Sequence, residues 1–298
     1  MAVTSATGLG AAVTPVEAGS YYLDALTAQS VFLRSGVRVV RTDKDSISIP
    51  RLLTDGAANW TSEGAAITES TPNGDAVLAV PRKLASLVTV TNETIDDSDP
   101  AVLDIVGTSL ARACALQFDL GAFYGTGVAP QPRGLANVAG IQTVSSGANG
   151  STPLNLDVFA DAIGLLDAAN AAASVIVMNP RTWKTLSKIK ETSTSTKPVL
   201  NSDTNPTDGV VRALYGVPVL LTSQLPITET VGTSTDTSSA FVYDASQVLA
   251  VLRKDASVVV DRSVLFSSDQ SQVRLVMRAD VAVANPAAVV RVTGLRAV

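Results

Sequence analysis

The sequence predicts an α+β fold in which the first and last thirds of the chain share a sheet. Three observations lead there. Period-two alternation of apolar and polar residues marks strands at 47 to 52 and 84 to 91, and further strand candidates stand at 257 to 260, 273 to 278 and 289 to 292. One long helical period runs from Pro100 to Gly125 between them. Two more helical segments, at 157 to 170 and 181 to 191, then lie between the early and late strands, so strands come from both ends of the sequence.

Residues 1 to 35 are small, polar and Gly-containing, with one weak apolar stretch around Tyr21, Tyr22, Leu23 and Leu26. They predict an extended arm with a short helix. A strand follows at 37 to 40, then the alternating run Ile47, Ser48, Ile49, Pro50, Arg51, Leu52. From Leu53 to Val80 the chain carries Gly56, Gly64, Pro72 and Gly74 among polar residues, with weak strand signals around Trp60 and Val77. This predicts a long hairpin too poor in hydrophobic residues to hold a core, so it must lie on something else.

Asp96, Asp97, Ser98 and Asp99 place acids and capping groups before Pro100, the pattern of a helix start. Leu103, Val106, Leu110, Ala113, Gln117, Leu120 and Tyr124 then recur at three- and four-residue steps until Gly125 and Gly127 stop the helix. About 25 residues at ~1.5 Å each give a rod of roughly 37 Å. Beyond it come a Gly/Ser/Thr loop at 143 to 153, a helix at 157 to 170, a buried-type strand at 174 to 178 and a helix from 181 to 191 opened by Asn179 and Pro180. A polar loop spans 192 to 209, a turn enters a strand at 214 to 220, and a Thr/Ser loop fills 228 to 239. Further strands are expected at 240 to 242, 248 to 252, 257 to 260, 273 to 278 and 289 to 292. There is no internal repeat.

Composition removes several functions. Without a single histidine, imidazole-dependent nucleophilic systems and histidine metal sites are excluded. One cysteine, Cys114, forbids an intrachain disulfide and a cysteine-built metal site; set among Ala113, Ala115 and Leu116, it is expected to be a small buried hydrophobe. A net charge of −5 gives no electrostatic footprint for gripping nucleic acid along its phosphates. Mean hydropathy is high at +0.28, yet no apolar run approaches the ~18 residues of a membrane span. The N-terminus has no basic segment before Arg34 and is not a secretory signal, so the Asn-x-Ser/Thr triplets at Asn59, Asn92 and Asn149 carry no glycosylation meaning. The apolar excess is expected to be buried by neighbours: a chain of this mass exposes on the order of 12,000 Å², and four or five contacts of ~800 Å² would cover about a third.

Gly125-Thr126-Gly127 follows a helix and leads into Pro130 and Pro132, so it is expected to be a cap and turn, not a phosphate loop. The acids at 96, 97 and 99 need no cation, since helix-start chemistry explains them. No catalytic, cofactor-binding or metal residue is assigned, and no enzyme activity is expected. Trp60 differs. A large aromatic in a hairpin without a core is expected to anchor into a partner. The same hairpin, from 52 to 81, carries Asp55, Glu63, Glu69 and Asp75 and no Lys or Arg. Arg34, Arg38, Arg41, Arg51, Arg82 and Lys83 flank it and are expected to offer a basic surface to it in another copy.

The order of these elements resembles the major capsid proteins of tailed bacteriophages, with the Hong Kong 97-type fold. The resemblance rests on the arm, the acidic hairpin with Trp60 and Glu63, Val80-Pro81-Arg82-Lys83-Leu84-Ala85, Val90-Thr91-Asn92-Glu93, Asp97-Ser98, the long helix with Asp119, Gly125-Thr126-Gly127 and Pro132-Arg133-Gly134-Leu135. Later it continues through Val177-Met178-Asn179-Pro180, Leu214-Tyr215-Gly216-Val217-Pro218-Val219, and Asp269-Gln270 leading to Arg274, Arg278 and Asp280. It implies an N-terminal arm at 1–45, an E-loop hairpin with its base strands at 46–84, a peripheral domain with a spine helix at 85–134, an axial domain at 135–255, and C-terminal strands at 256–298 returning to the peripheral domain. The implied function is a shell subunit forming hexamers and pentamers of an icosahedral head around double-stranded DNA, made in the host cytoplasm. Implied partners are further copies of itself, a scaffolding protein, a portal, a cement protein and packaged DNA through weak nonspecific contact, with no membrane and no cofactor.

A bacterial encapsulin-type nanocompartment shares the fold and is the alternative; a carboxylate-dependent hydrolase is a further one from another class. Two departures from the family matter. A long scaffolding segment often precedes the arm, whereas here Met1 almost opens it, so a separate scaffold, none, or a processed form is expected. Autocatalytic cross-linking in the family uses an E-loop lysine, and this hairpin has none.

Overall fold

The computed structural model describes residues 30–54, 56–97, 101–153, 155–191, 197–200 and 212–297, with no account of the side chains at 52–54, 96–97 and 101–104. The weak apolar stretch around Tyr21 and the helix-start run 98 to 100 lie outside the described residues.

A one-turn helix α1 (Val31–Arg34) leads into β1 (Arg38–Arg41), then β2 (Ile47–Thr54), β3 (Asn73–Ala79) and β4 (Arg82–Thr91). A short helix α2 (Asn92–Asp97) precedes the long helix α3 (Ala101–Tyr124). Then follow β5 (Gln142–Ser145), α4 (Asp157–Ala168), β6 (Val175–Met178) and α5 (Pro180–Ser187). The remainder is strand: β7 (Ala213–Leu214), β8 (Val217–Leu221), β9 (Glu229–Val231), β10 (Ser234–Tyr243), β11 (Val248–Leu265), β12 (Gln270–Val283) and β13 (Val289–Arg296).

The first and last thirds do share a sheet, ordered β1-β11-β12-β4. β12 runs antiparallel to both neighbours, with Arg274 opposite Leu87 and Val259, and Arg278 opposite Lys83 and Lys254. Alternation then gives the sheet two unlike faces. Val273, Leu275, Met277 and Ala279, with Leu84 and Val258, share one core with Leu110, Cys114 and Phe118 of α3. On the opposite face Leu249, Val251 and Ala282 meet Ile47, Ile49, Val77 and Ala79 from the base of the β2–β3 hairpin. The hairpin therefore gains its core from the sheet, as its poverty in hydrophobic residues requires.

Apolar residues lie all round α3, and that misleads the periodic stripe. Ala113 and Gln117 face solvent, while Leu110, Ala111, Cys114, Ala115, Phe118, Ala122 and Phe123 are buried. Three alanines on the buried side let the helix approach the sheet closely. The expectation for Cys114 holds.

A second sheet of seven strands has the order β5-β13-β10-β6-β8-β7, with β9 beside β10. Phe159, Ala162 and Leu166 of α4 and Leu186 of α5 cover one side. Asn179 caps α5 by accepting from the Arg181 N–H at 2.9 Å, and Pro180 fills the first turn. Two strands expected as loop, β5 and β9, belong here; both are polar and draw their order from their neighbours' backbones. β13 pairs with β10 and β5 in this sheet, while β11 and β12 belong to the four-stranded sheet on α3. Residues of both sheets share one core with Phe123, whose ring lies 5.5 Å from Phe32 of α1 and 5.3 Å from Phe241 of β10.

Candidate functional site

The hairpin reaches out as a bare arm. Every residue from 56 to 76 is exposed, Trp60 completely at 105% and Ile67 at 84%. The strand expected around Trp60 does not form; pairing stops at Thr54 and Asn73. Of the arm's acids Asp75 is partnered within the chain, by Arg51 at 3.1 Å. Glu63 and Glu69 have no ion pair among the described residues.

The basic residues flanking the arm are not one surface. β1 and β4 are opposite edges of the four-stranded sheet, about 14 Å apart at ~4.8 Å per strand, which separates Arg38 and Arg41 from Arg82 and Lys83. Arg41 lies 3.7 Å from Asp255, and Arg34 sits exposed at the end of α1. Arg82 and Lys83, as neighbours on a strand, point to opposite faces. Of these two, Lys83 lies on the face away from α3. There the sheet brings it to Arg253, Lys254, Arg274 and Arg278, which with Asp43 line a cleft of about 460 Å³. The site expected from sequence omitted these four cations. Their signal was the spacing Arg274, Val276, Arg278, which puts both arginines on one strand face.

Two polar clusters hold the surrounding framework. Asp119, buried in α3, accepts from Ser30 Oγ at 2.5 Å, from the Val31 N–H at 2.9 Å and from the Phe32 N–H at 3.2 Å. Burial pushes its carboxyl above the usual carboxylate value despite those bonds. At the far end of α3 the Tyr124 hydroxyl and Ser239 Oγ both donate to Glu229, whose second oxygen lies 3.2 Å from Arg291 Nη2. The Arg291 guanidinium also sits 5.5 Å from the Tyr124 ring centroid. Burial, and then the Glu229 charge, push the Tyr124 phenol up, so it remains a donor. Nothing in the Thr/Ser-rich segment around Glu229 announced this contact, since its partners come from α3, β10 and β13.

Gly125 and Gly134 close α3. A Cβ on Gly134 would lie 2.4 Å from the Gly125 nitrogen and one on Gly125 would lie 2.3 Å from the Pro132 carbonyl oxygen, so backbone packs on backbone. The glycines of the 125–127 segment serve a cap and turn, as expected, with Gly125 N–H donating to Gly121 at 2.9 Å.

Comparison with curated proteins returns no match. Among solved structures the fold is similar to the capsid of an empty GTA particle, with TM-score 0.71 and 22% identity over 88% of this chain and 89% of that one. It is also similar to chains from Mycobacterium phage Adephagia (TM-score 0.72, 17% identity, 90% of each chain) and Microbacterium phage Oxtober96 (TM-score 0.70, 19% identity, 90% and 91%). At these identities the likeness speaks for the fold, an α+β capsid architecture. The model of the Phage capsid family matches residues 10–294, from before α1 to within β13, and the chain accordingly belongs to that family, as a structural major capsid protein of a phage head.

Proposed function

We propose that this capsid protein assembles as hexamers and pentamers into an icosahedral head that encloses double-stranded DNA, and that its role is structural, not enzymatic. Family membership over nearly the whole chain carries this. Self-association into a shell follows from it, and the bare, acidic arm with exposed Trp60 is the part of the chain suited to reach a neighbour. In this reading 1–45 is the arm, 46–84 the E-loop and its base, 85–134 the peripheral domain and 135–255 the axial domain. The strands of 256–298 divide, β12 serving the peripheral domain and β13 the axial one.

Trp60, Glu63 and Glu69 are the proposed donor side of the subunit interface. Arg34, Arg38, Arg41, Arg82 and Lys83 remain candidates for contacts with other copies, at separate places because they occupy opposite sheet edges. A scaffolding protein, a portal, a cement protein and nonspecific contact with packaged DNA complete the proposed partners, with synthesis in the host cytoplasm. Electron microscopy of the purified chain tests the proposal: closed shells, or rings of six and five, are expected. A monodisperse monomer at high concentration, with and without a scaffold, would refute it.

A further inference from the structure

Where the hairpin joins the body, the fold brings three arginines to one cleft. Arg51 comes from β2, Arg82 from the first position of β4 and Arg133 from the turn after α3; with Asp280 of β12 they line a cavity of about 430 Å³. Arg51 donates through Nη2 to Asp75 at 3.1 Å, yet its Nε is buried and has no acceptor among the described residues. Arg82 and Arg133 make no ion pair among the described residues. Asp280, the acid in the lining, is only 8% exposed. Its two oxygens accept from the backbone, Oδ2 from the Val80 N–H at 2.7 Å and Oδ1 from the Val281 N–H at 2.8 Å, while the charges of Arg82 and Arg133 act on it from further off. Counting Asp75, three guanidiniums stand against two carboxylates, so the cleft is positive on a chain whose net charge is −5. Gly127 leaves room for one of them: a Cβ there would lie 2.9 Å from Arg133 Nε.

We propose that this cleft binds an oxyanion of the phosphate class. A guanidinium presents a planar fork of donors, and a tetrahedral anion offers oxygens to forks arriving from several directions, whereas a carboxylate has only two. Here the arginines arrive from three separate elements. The buried Arg51 Nε lacks the acceptor that such an ion would supply, and a buried donor left without one is costly. Val77, Val80 and Val283 wall the same cleft, and apolar walls strengthen the attraction between the charges they enclose. All of these residues belong to one chain, so the site does not depend on the shell. A bound ion would tie the hairpin base, through Arg51, to the turn after α3, through Arg133. The same chemistry serves free phosphate and the phosphodiester of a nucleic acid.

The test titrates the purified chain with sodium phosphate, against sodium chloride and sodium acetate at matched ionic strength. Calorimetry should detect phosphate binding, and Arg82→Gln with Arg133→Gln should weaken it by about tenfold or more. The variant is the necessary reference, because phosphate also stabilises folded proteins by exclusion from their surface. In chloride its thermal unfolding should match the wild type, since neither arginine has an ion-pair partner to lose. Amide exchange at 76–80 and 127–133 should slow when phosphate is added to the wild type and stay unchanged in the variant. If the double variant does not fold, Arg133→Lys decides the matter: it keeps the charge without the fork and should bind phosphate severalfold more weakly. A short DNA oligonucleotide forms the second arm. Protection of the same amides by the oligonucleotide and not by free phosphate would support the site and assign its phosphate to nucleic acid. Equal affinity in wild type and variants, equal protection by acetate, or no binding of either phosphate probe would overturn the proposal.

Discussion

Asp119 and Ser30 are 89 residues apart in sequence, yet the Ser30 hydroxyl donates to the Asp119 carboxylate at 2.5 Å. The same carboxylate accepts the first two N–H groups of α1, so an acid from the long helix caps a one-turn helix that could not stand alone. This fixes the point where the described chain enters the fold.

Asp119→Ala leaves three donors without a partner beside Phe32. The expected loss is about 2–3 kcal/mol by denaturant unfolding, and Asp119→Asn, which keeps an acceptor, should lose less. Hydrogen exchange at Val31 and Phe32 should accelerate in the alanine variant first.

The pH dependence has a defined sign. Burial raises the Asp119 carboxyl above its unfolded value, so the folded state holds the proton more tightly. Its favourable contribution is present below about pH 4 and is lost as pH rises through the raised value. Relative to Asp119→Asn, wild-type stability should therefore fall with increasing pH above about 4. A difference that grows with pH would mean that the three donors outweigh burial.

Trp60 makes no contact that stabilises its own subunit, being wholly exposed. Trp60→Ala should change monomer stability by less than about 0.5 kcal/mol and impair assembly strongly. With the half-buried Trp183 replaced by Phe, emission should be water-like before assembly and shift to the blue on assembly. Emission already blue and unquenchable in the monomer would contradict this.

Glu229 ties β9 to α3 and β13 through Tyr124, Ser239 and Arg291. Glu229→Ala strands a largely buried guanidinium and two hydroxyls, and the expected cost is about 3 kcal/mol. Tyr124→Phe removes one donor and keeps the ring under Arg291, so about 1 kcal/mol is expected. Equal losses for both, measured by chemical denaturation, would show that ring packing and not the carboxylate holds the joint.

Covalent locking through the hairpin lacks its chemistry. An isopeptide bond needs an amine at the arm, and between Leu52 and Arg82 there is none; Lys83 lies at the base, on the sheet. Mature particles boiled in denaturing detergent should release a monomer band, against a ladder of covalent rings if another amine serves.

Sequence alone determined the elements whose signal is local. β4 was legible because a sheet buried on one face imposes period two, and α5 because Asn179 and Pro180 specify its start without help from the rest of the chain. The acidic, coreless hairpin and the exposure of Trp60 were legible for the same reason: too few apolar residues lie nearby to cover them. Tertiary structure decided what depends on register and partner. The buried side of α3 could not be read from a helix apolar all round, and it turned on which side let alanines meet the sheet. β13 joined the larger sheet because β10 and β5 offered backbone on both its edges. Lys83 came to face Lys254, Arg274 and Arg278 only through the alignment of β4, β12 and β11, since strand pairing sets which distant side chains share a face and no local pattern encodes it.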